Sequence, residues 1–272
     1  MRLIFAALLL LATLPAHADA VLDRVTQNKT LTIAMVPGRP PHSYWNDEHD
    51  IVGFDVDLSR AIAKELGVIP KFVHPRWEDI VAGEWQGKWD VAISSMTPLK
   101  SRLEKLDFPV IYTYLPVSAA VHRNNRTITN FYDLDGKSVG VCNNCSFDKY
   151  LRRNLEIDHS VAPVFAYKVF PGNITNYESD DEAFRDLEAG DGTRLDAVVS
   201  SRLSIGHYIT MGKPFKMLEN SLYYEPLAIA VEKNTPEFSN KIADAVGKLT
   251  ASGQLREISY KWFDADYTRP GK

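Results

Sequence analysis

The 272-residue sequence contains only two cysteines, no strong excess of either charge and no apolar run of membrane-spanning length. It has 31 lysines and arginines against 35 aspartates and glutamates, without a basic stripe interleaved with aromatics, so nucleic acid is not a predicted partner. A spanning helix needs roughly 20 consecutive apolar residues, so none is predicted. The cysteines make a poor zinc site because His122 and His159 are distant in sequence, and no metal or cofactor is expected.

Residues 1–18 have the pattern of a secretory signal peptide. Arg2 precedes the apolar run 3–14, and Ala16-His17-Ala18 matches an A-x-A cleavage site. We expect cleavage after Ala18, with Ala20 as the second choice. A lipid anchor is not indicated, because no cysteine begins the mature region. The mature chain is therefore predicted to be soluble and exported to the periplasm.

The two cysteines, Cys142 and Cys145, lie in Val-Cys-Asn-Asn-Cys-Ser. In an exported protein such a close pair can form a structural disulfide. A C-x-x-C at a helix start can also be redox-active, because the helix N-terminus stabilises a thiolate. The compartment favours the disulfide, and free thiols, redox chemistry and metal binding stay open as alternatives.

Polar residues follow a short apolar run at 91–93 that suits a buried strand. Ser94, Ser95 and Thr97 come where this strand is predicted to end. Pro98 suits the first position of a helix with Thr97 as its N-cap, and such a terminus attracts anions. Arg102 would lie one turn along, where a guanidinium can bind a carboxylate through two hydrogen bonds. A small-carboxylate site is predicted, although an ordinary capped helix with a solvated Arg102 is the simpler alternative.

Strands and helices are predicted to alternate, which favours an α/β sheet with ligands at the carboxyl ends of its strands. Asp55 and Asp57 are expected to offset a helix dipole rather than to form a metal or acid/base site. Trp77 is expected to face a cleft. Predicted strands are 31–35, 69–73, 89–93, 112–121, 138–141, 165–169, 195–199 and 227–231, and predicted helices are 54–66, 77–85, 146–155, 181–188, 204–209, 236–250 and 253–263.

The run Ser-Ser-Met-Thr with Arg102 five residues after Thr97 resembles the ligand motif of the family 3 periplasmic solute-binding proteins, the polar amino-acid binders of ABC importers. The resemblance covers nearly all of the mature chain, including residues 53–58, 136–141, 195–199 and 261–263. It implies the two-lobed α/β fold of type II periplasmic binding proteins, each lobe a mostly parallel sheet flanked by helices, joined by two hinge strands. Lobe one would comprise 19–114 and 225–272, and lobe two 115–224, with crossings near 112–117 and 223–227 and hinge closure around a ligand.

The resemblance also implies roles for residues of lobe one. Arg102 would clamp the α-carboxylate of the ligand, and Trp77 would form an aromatic wall. Three hydroxyl side chains would add hydrogen bonds to the ligand, namely Ser94, Ser95 and Thr97.

Two sites depart from the family pattern. Arg39 stands where relatives often have an aromatic, and it would stack on the ligand, pair with a second acidic group or be a surface arginine. Where many relatives have glycine, threonine, threonine before a helix, this chain has Asn144, Cys145 and Ser146. Ser146 is expected to cap that helix and to donate its backbone N–H to a carboxylate. Cys145 would lie at a reshaped pocket mouth.

A further departure concerns the ligand's α-ammonium, which relatives commonly hold with an aspartate. Here that position is Ser201, followed by Arg202, which would repel a cation if it faces the cleft. Either another acid takes this role, or the ligand lacks a free ammonium. The candidate acids are Glu178, Asp181 and Glu182. Because three arginines are candidate cleft residues, an acidic or doubly carboxylated ligand is a further hypothesis.

The function implied is a non-enzymatic, monomeric binding protein that captures a small polar carboxylate, an amino acid or a derivative, for an inner-membrane ABC permease. A cyclohexadienyl-dehydratase-like enzyme on the same fold, with a glutamate at position 178 or 182 as general acid, is an alternative. A ligand sensor for a membrane receptor and redox work through the cysteines are the others.

Overall fold

A computed structural model describes residues 19–158, 160–161 and 164–269. The predicted signal peptide lies outside the described residues. Within the part of the chain that is described, no helix has the length and apolar character needed to cross a membrane.

The first part of the chain forms α1 (Ala20–Asn28), β1 (Thr30–Ala34), β2 (Tyr44–Trp45), β3 (Ile51–Val52), α2 (Phe54–Glu65), β4 (Ile69–Val73), α3 (Trp77–Val81), β5 (Val91–Met96), α4 (Lys100–Leu103) and β6 (Leu106–His122). The second part forms a 3-10 turn (Phe131–Leu134), β7 (Ser138–Cys142), α5 (Ser146–Leu151), β8 (Asn173–Tyr177), α6 (Asp180–Glu188), β9 (Ala197–Ser201), α7 (Arg202–Thr210), β10 (Phe215–Met217), β11 (Tyr224–Glu232), α8 (Pro236–Ala251) and α9 (Gln254–Phe263).

The main sheet has the strand order β4-β1-β5-β11-β6-β9-β7-β8, with β10 on β6. β1 runs parallel to β4 and β5, and β7 runs parallel to β8 and β9. The long strand β6 pairs with β11 as far as Pro116 and with β9 from Val117 onwards. The strands therefore divide into two lobes, which β6 and β11 connect.

Each lobe has its own hydrophobic core. In lobe one, α2 and α8 pack on the sheet and α9 packs on both helices, and the core includes Phe54, Tyr112 and Phe238, all fully buried. In lobe two, Tyr150 and Tyr223 stack with ring centroids 5.2 Å apart within a separate cluster. The two clusters are distinct, and both polar and apolar side chains line the space between the lobes.

Most predicted elements are confirmed, and the exceptions occur in both lobes. Residues 165–169 are irregular, although Phe165 and Val169 still pack on the core of that lobe and thereby imitate a strand pattern. The sequence prediction missed β8, a polar edge strand, and β10. The helix predicted at 77–85 ends at Val81, because Gly83 and Glu84 adopt positive φ angles of 69° and 55°.

Candidate functional site in the interlobe cleft

A polar cleft lies between the lobes, and in this conformation its free space measures about 30 Å³. Such a volume has room for on the order of two water molecules. The cleft is therefore closed. Its wall consists of Arg39, His42, Trp77, Ser95, Thr97, Arg102, Leu115, Cys142, Cys145, Ser146, Phe147, Asp180, Ser200, Ser201, Ser204, Glu225 and Leu227.

Backbone hydrogen bonds join the lobes around this cleft. The Lys100 N–H donates to the Glu156 carbonyl at 2.9 Å, and the Asp158 N–H donates to the Pro98 carbonyl at 2.9 Å. A further bond of 3.1 Å runs from the Asp180 N–H to the carbonyl of Gly38. These backbone bonds help to hold the lobes closed.

Arg102 lies on α4, buried to 5% exposure at the centre of the cleft. Its guanidinium donates to the Thr97 carbonyl at 2.9 Å and, across the cleft, to the Asn144 carbonyl at 2.8 Å. It also lies 5.0 Å from the centroid of the Trp77 ring, a cation–π distance. Burial lowers the pKa of Arg102 to about 9, so the guanidinium stays charged at neutral pH.

The helix start predicted after Thr97 is wrong. β5 continues to Met96 because it pairs with β11 along that length, and α4 begins only at Lys100 with Leu99 as its N-cap. Thr97 therefore does not cap a helix, and its hydroxyl donates to the Glu225 carboxylate instead.

The two serines of β5 have different partners. The Ser94 hydroxyl accepts from the Val36 N–H at 3.0 Å, and Ser94 is not part of the cleft wall. Ser95 does line the cleft, and its hydroxyl donates to Asp55 at 2.8 Å. Asp55 also accepts from the Tyr112 hydroxyl at 3.0 Å, and burial raises its pKa to about 6. Asp55 thus fixes Ser95 at the end of β5 without itself being part of the cleft wall.

Arg39 reaches the cleft rather than solvent. Its guanidinium carbon lies 4.9 Å from the centroid of the Trp77 ring, so both cleft arginines rest on one indole. Among the described residues the Arg39 Nε, which is buried, has no hydrogen-bond partner. His42 lines the same wall, and burial lowers its pKa to about 3, which leaves it uncharged.

On lobe two, Cys142 and Cys145 form a disulfide, as predicted, and both line the cleft. The prediction that Ser146 caps α5 is wrong, because Cys145 holds the N-cap position and Ser146 is the first helical residue. Its hydroxyl donates to the Glu225 carboxylate.

Ser201 lines the cleft and caps α7, accepting from the Ser204 N–H at 2.9 Å. Arg202 does not face the cleft, which corrects the expectation for this residue. Its guanidinium donates to the backbone carbonyls of Leu218 and Glu219, which are not part of the cleft wall.

The acid that reaches the cleft from lobe two is Asp180, which the sequence analysis missed. Its carboxylate accepts from the Ser200 hydroxyl at 2.8 Å, and burial raises its pKa. The acids that the sequence suggested are not part of the cleft wall: Asp181 accepts from Tyr208, and Glu182 accepts from the Glu178 N–H. The helix was predicted to begin at 181, and it begins one residue earlier.

Glu225 was also missed, and it is 4% exposed within the cleft. One carboxylate oxygen accepts from the hydroxyls of Thr97 and Ser146, so the side chain bridges the lobes. Burial raises its pKa. The feature of the sequence that could have identified Glu225 is its position as a single acid directly before the apolar run 226–231, within a predicted crossing between the lobes.

The cleft therefore contains two cationic and two acidic side chains, a balance that suits a zwitterion. No group of three or more histidine, cysteine or acidic side chains suited to a metal occurs in the described residues.

Comparison with known proteins agrees with this geometry. Residues 31–265 match the model of the bacterial extracellular solute-binding proteins, family 3. The chain is 27% identical to the L-cystine-binding protein TcyJ of Escherichia coli strain K12, over 92% of this chain and 89% of that protein. It is 30% identical to an L-arginine-binding protein of Pseudomonas aeruginosa, over 94% of this chain and 97% of that protein.

A solved structure, that of the ancestral amino acid-binding protein AncCDT-1, a precursor of cyclohexadienyl dehydratase, superposes with a TM-score of 0.76. It is 27% identical and covers 89% of this chain and 99% of that one. The predicted two-lobed type II fold is thereby confirmed. This chain belongs to family 3 of the bacterial extracellular solute-binding proteins.

Proposed function

We propose that this protein captures an amino acid or amino-acid derivative in the cleft and delivers it to an inner-membrane ABC importer. One observation carries the proposal: the closed cleft buries a guanidinium from lobe one, Arg102, and a carboxylate from lobe two, Asp180, in one wall. A ligand with both an α-carboxylate and an α-ammonium complements that pair. The named ligands of the relatives, L-cystine and L-arginine, have both groups.

In this proposal the ligand carboxylate binds Arg102 and the hydroxyls of Thr97 and Ser146, and the ammonium binds Asp180. Trp77 and the neighbouring side chains of the cleft wall cover the rest of the ligand. Ser201 then does not argue for a ligand without an ammonium, because a nearby acid supplies the charge. Ser95, Arg39 and the disulfide are proposed to shape the wall.

Several further assignments are part of the same proposal. Residues 1–18 would be a cleaved signal peptide, and the mature protein would be a periplasmic monomer. Lobe one would comprise 19–114 and 225–272, and lobe two 115–224.

We propose binding without catalysis. Relatives with assigned names are binding proteins, and Glu178 and Glu182, the suggested general acids, are not part of the cleft wall. Incubation with prephenate followed by chromatography tests this, since a binding protein returns prephenate unchanged and a dehydratase consumes it.

Thermal unfolding across a panel of L-amino acids, dicarboxylates and prephenate tests the ligand class. A ligand that binds only the folded state at 100 times its Kd adds about 2.7 kcal/mol to the free energy of unfolding. We expect an L-amino acid to raise the Tm, and Arg102→Ala to abolish the shift. Arg76→Ala is the matched control, because Arg76 pairs with Asp79 on the surface with a side chain 78% exposed. A panel in which only dicarboxylates act would contradict the proposal.

A further inference from the structure

We propose that the Glu225 carboxylate occupies the place of the ligand carboxylate at the hydroxyls of Thr97 and Ser146, so that a ligand must replace it there while Glu225 stays in the cleft and takes up a proton. This inference rests on the proposed function and concerns the same cleft. It makes Glu225 a residue that sets both the affinity for carboxylate ligands and the pH dependence of that affinity.

The contacts of Glu225 are those proposed for a ligand. Thr97 from lobe one and Ser146 from lobe two both donate to its Oε1 atom. Arg102 is adjacent, because its guanidinium donates to the Thr97 carbonyl at 2.9 Å, and its charge acts on Glu225. The Glu225 carboxylate thus already accepts hydrogen bonds from both hydroxyls, and it joins the lobes as a bound ligand would.

The backbone and the small free volume of the cleft keep Glu225 close to these hydroxyls. It lies on β11, where its backbone pairs with Leu115 of β6, and only 4% of the residue is exposed. The cleft has about 30 Å³ of free space. A ligand carboxylate at Thr97 and Ser146 would therefore place a second negative charge beside the first in a site largely shielded from water. Two carboxylates that share a site do not both stay ionised, so one takes up a proton.

The charged and titratable groups around Glu225 come from several elements. Arg102 on α4 and Arg39 after β1 favour its ionised form, and burial opposes it. His42 is uncharged and supplies no further cation. Once the ligand carboxylate binds Arg102, that guanidinium no longer compensates Glu225 alone, and the neutral form of Glu225 is favoured. Tyr223 also lies close to Glu225, and Asp180 lines the same cleft.

The test compares each L-amino acid with its decarboxylated amine: L-arginine with agmatine, L-cystine with cystamine and L-histidine with histamine. Calorimetric titrations at pH 6 and pH 8 use the mature wild type, Glu225→Gln and Glu219→Gln. Glutamine keeps an oxygen that accepts from both hydroxyls, and Glu219 is exposed, so its variant controls for loss of one negative charge.

We expect the wild-type affinity for the amino acid to fall as pH rises, by up to about tenfold per pH unit for one coupled proton. Glu225→Gln should bind the amino acid about tenfold or more tightly than the wild type at pH 8, with little dependence on pH. The amine should show no such gain, because it brings no second carboxylate. Glu219→Gln should match the wild type.

Weaker binding of both the amino acid and the amine by Glu225→Gln would overturn the inference, because Glu225 would then hold a ligand cation. Identical affinities of the two proteins at both pH values would also overturn it. Binding by Glu225→Gln alone would support it. If neither the wild type nor Glu225→Gln binds any amino acid, the proposed function fails and the inference with it. If the wild type binds and only Arg102→Ala fails to bind, the proposed function stands.

Discussion

The two lobes contain the same local arrangement, a buried aspartate in the first turn of a helix that accepts from a serine near the end of a strand. In lobe one, Asp55 of α2 accepts from Ser95 of β5 at 2.8 Å. In lobe two, Asp180 of α6 accepts from Ser200 of β9, also at 2.8 Å. Both carboxylates are buried, and burial raises the pKa of each.

The difference lies in what else surrounds each carboxylate. Asp55 accepts a second hydrogen bond from Tyr112 and is not part of the cleft wall. Asp180 has no tyrosine partner among the described residues and does line the cleft. One arrangement thus completes a scaffold, and the other leaves an acid facing the ligand site. The comparison predicts that substitutions separate stability from binding.

The largest effect is expected for Asp180→Asn, which keeps the shape and removes the charge. We expect the affinity for an L-amino acid to fall about 100-fold, because truncating one partner of a buried charge pair costs about 2 to 5 kcal/mol. Isothermal titration measures this. Asp181→Asn is the control, since Asp181 bonds Tyr208 outside the cleft wall. Equal effects of the two variants would contradict the assignment of Asp180.

A second, smaller effect concerns Asp55 and stability. Its pKa is about 6 in the folded protein, above its ordinary value of 3.8, so the folded state holds this proton more tightly than the unfolded state. The stabilisation is present below pH 3.8 and is lost as pH rises through 6. Between pH 4 and 7, wild type should lose about 2 kcal/mol relative to Asp55→Asn. Urea unfolding at both pH values measures the difference, and parallel curves for the two proteins would refute it.

The sequence predicted lobe one better than lobe two, and the reasons are physical. In lobe one the strand β1 and the helix α2 have clear apolar periodicity, and the arginine of the motif is buried in the cleft. In lobe two the edge strand β8 is polar, while the apolar residues 165–169 pack from an irregular segment. Alternating apolar residues indicate burial rather than strand pairing. Residues 165–169 are packed on the core without pairing, whereas β8 pairs without a fully buried residue.

The missed acids follow from long-range contacts. Asp180 is one of five polar residues at 178–182, and only the start of α6 and its contact with Gly38 select it. Glu225 enters the cleft because β11 pairs with both β5 and β6. Its partners Thr97 and Ser146 are 128 and 79 residues away. Local patterns do not encode such proximity.

The smallest effect is expected at Ser201, the position where the family resemblance implies an aspartate. Its hydroxyl caps α7 by accepting from Ser204, so Ser201→Ala should lower the free energy of unfolding by about 1 kcal/mol. Ligand affinity should change less than about threefold, because the lost hydrogen bond lies within the protein rather than with the ligand.

Ser201→Asp sharpens the same comparison, since aspartate is an equally good N-cap and introduces the acid that the family resemblance implies at this position. If Asp180 already holds the ammonium, this variant should not bind an L-amino acid more tightly than the wild type does. In the double variant Asp180→Asn with Ser201→Asp, by contrast, the restored acid should recover part of the lost affinity. No recovery would mean that the two positions do not reach the same ligand group, and the role assigned to Asp180 would need another explanation.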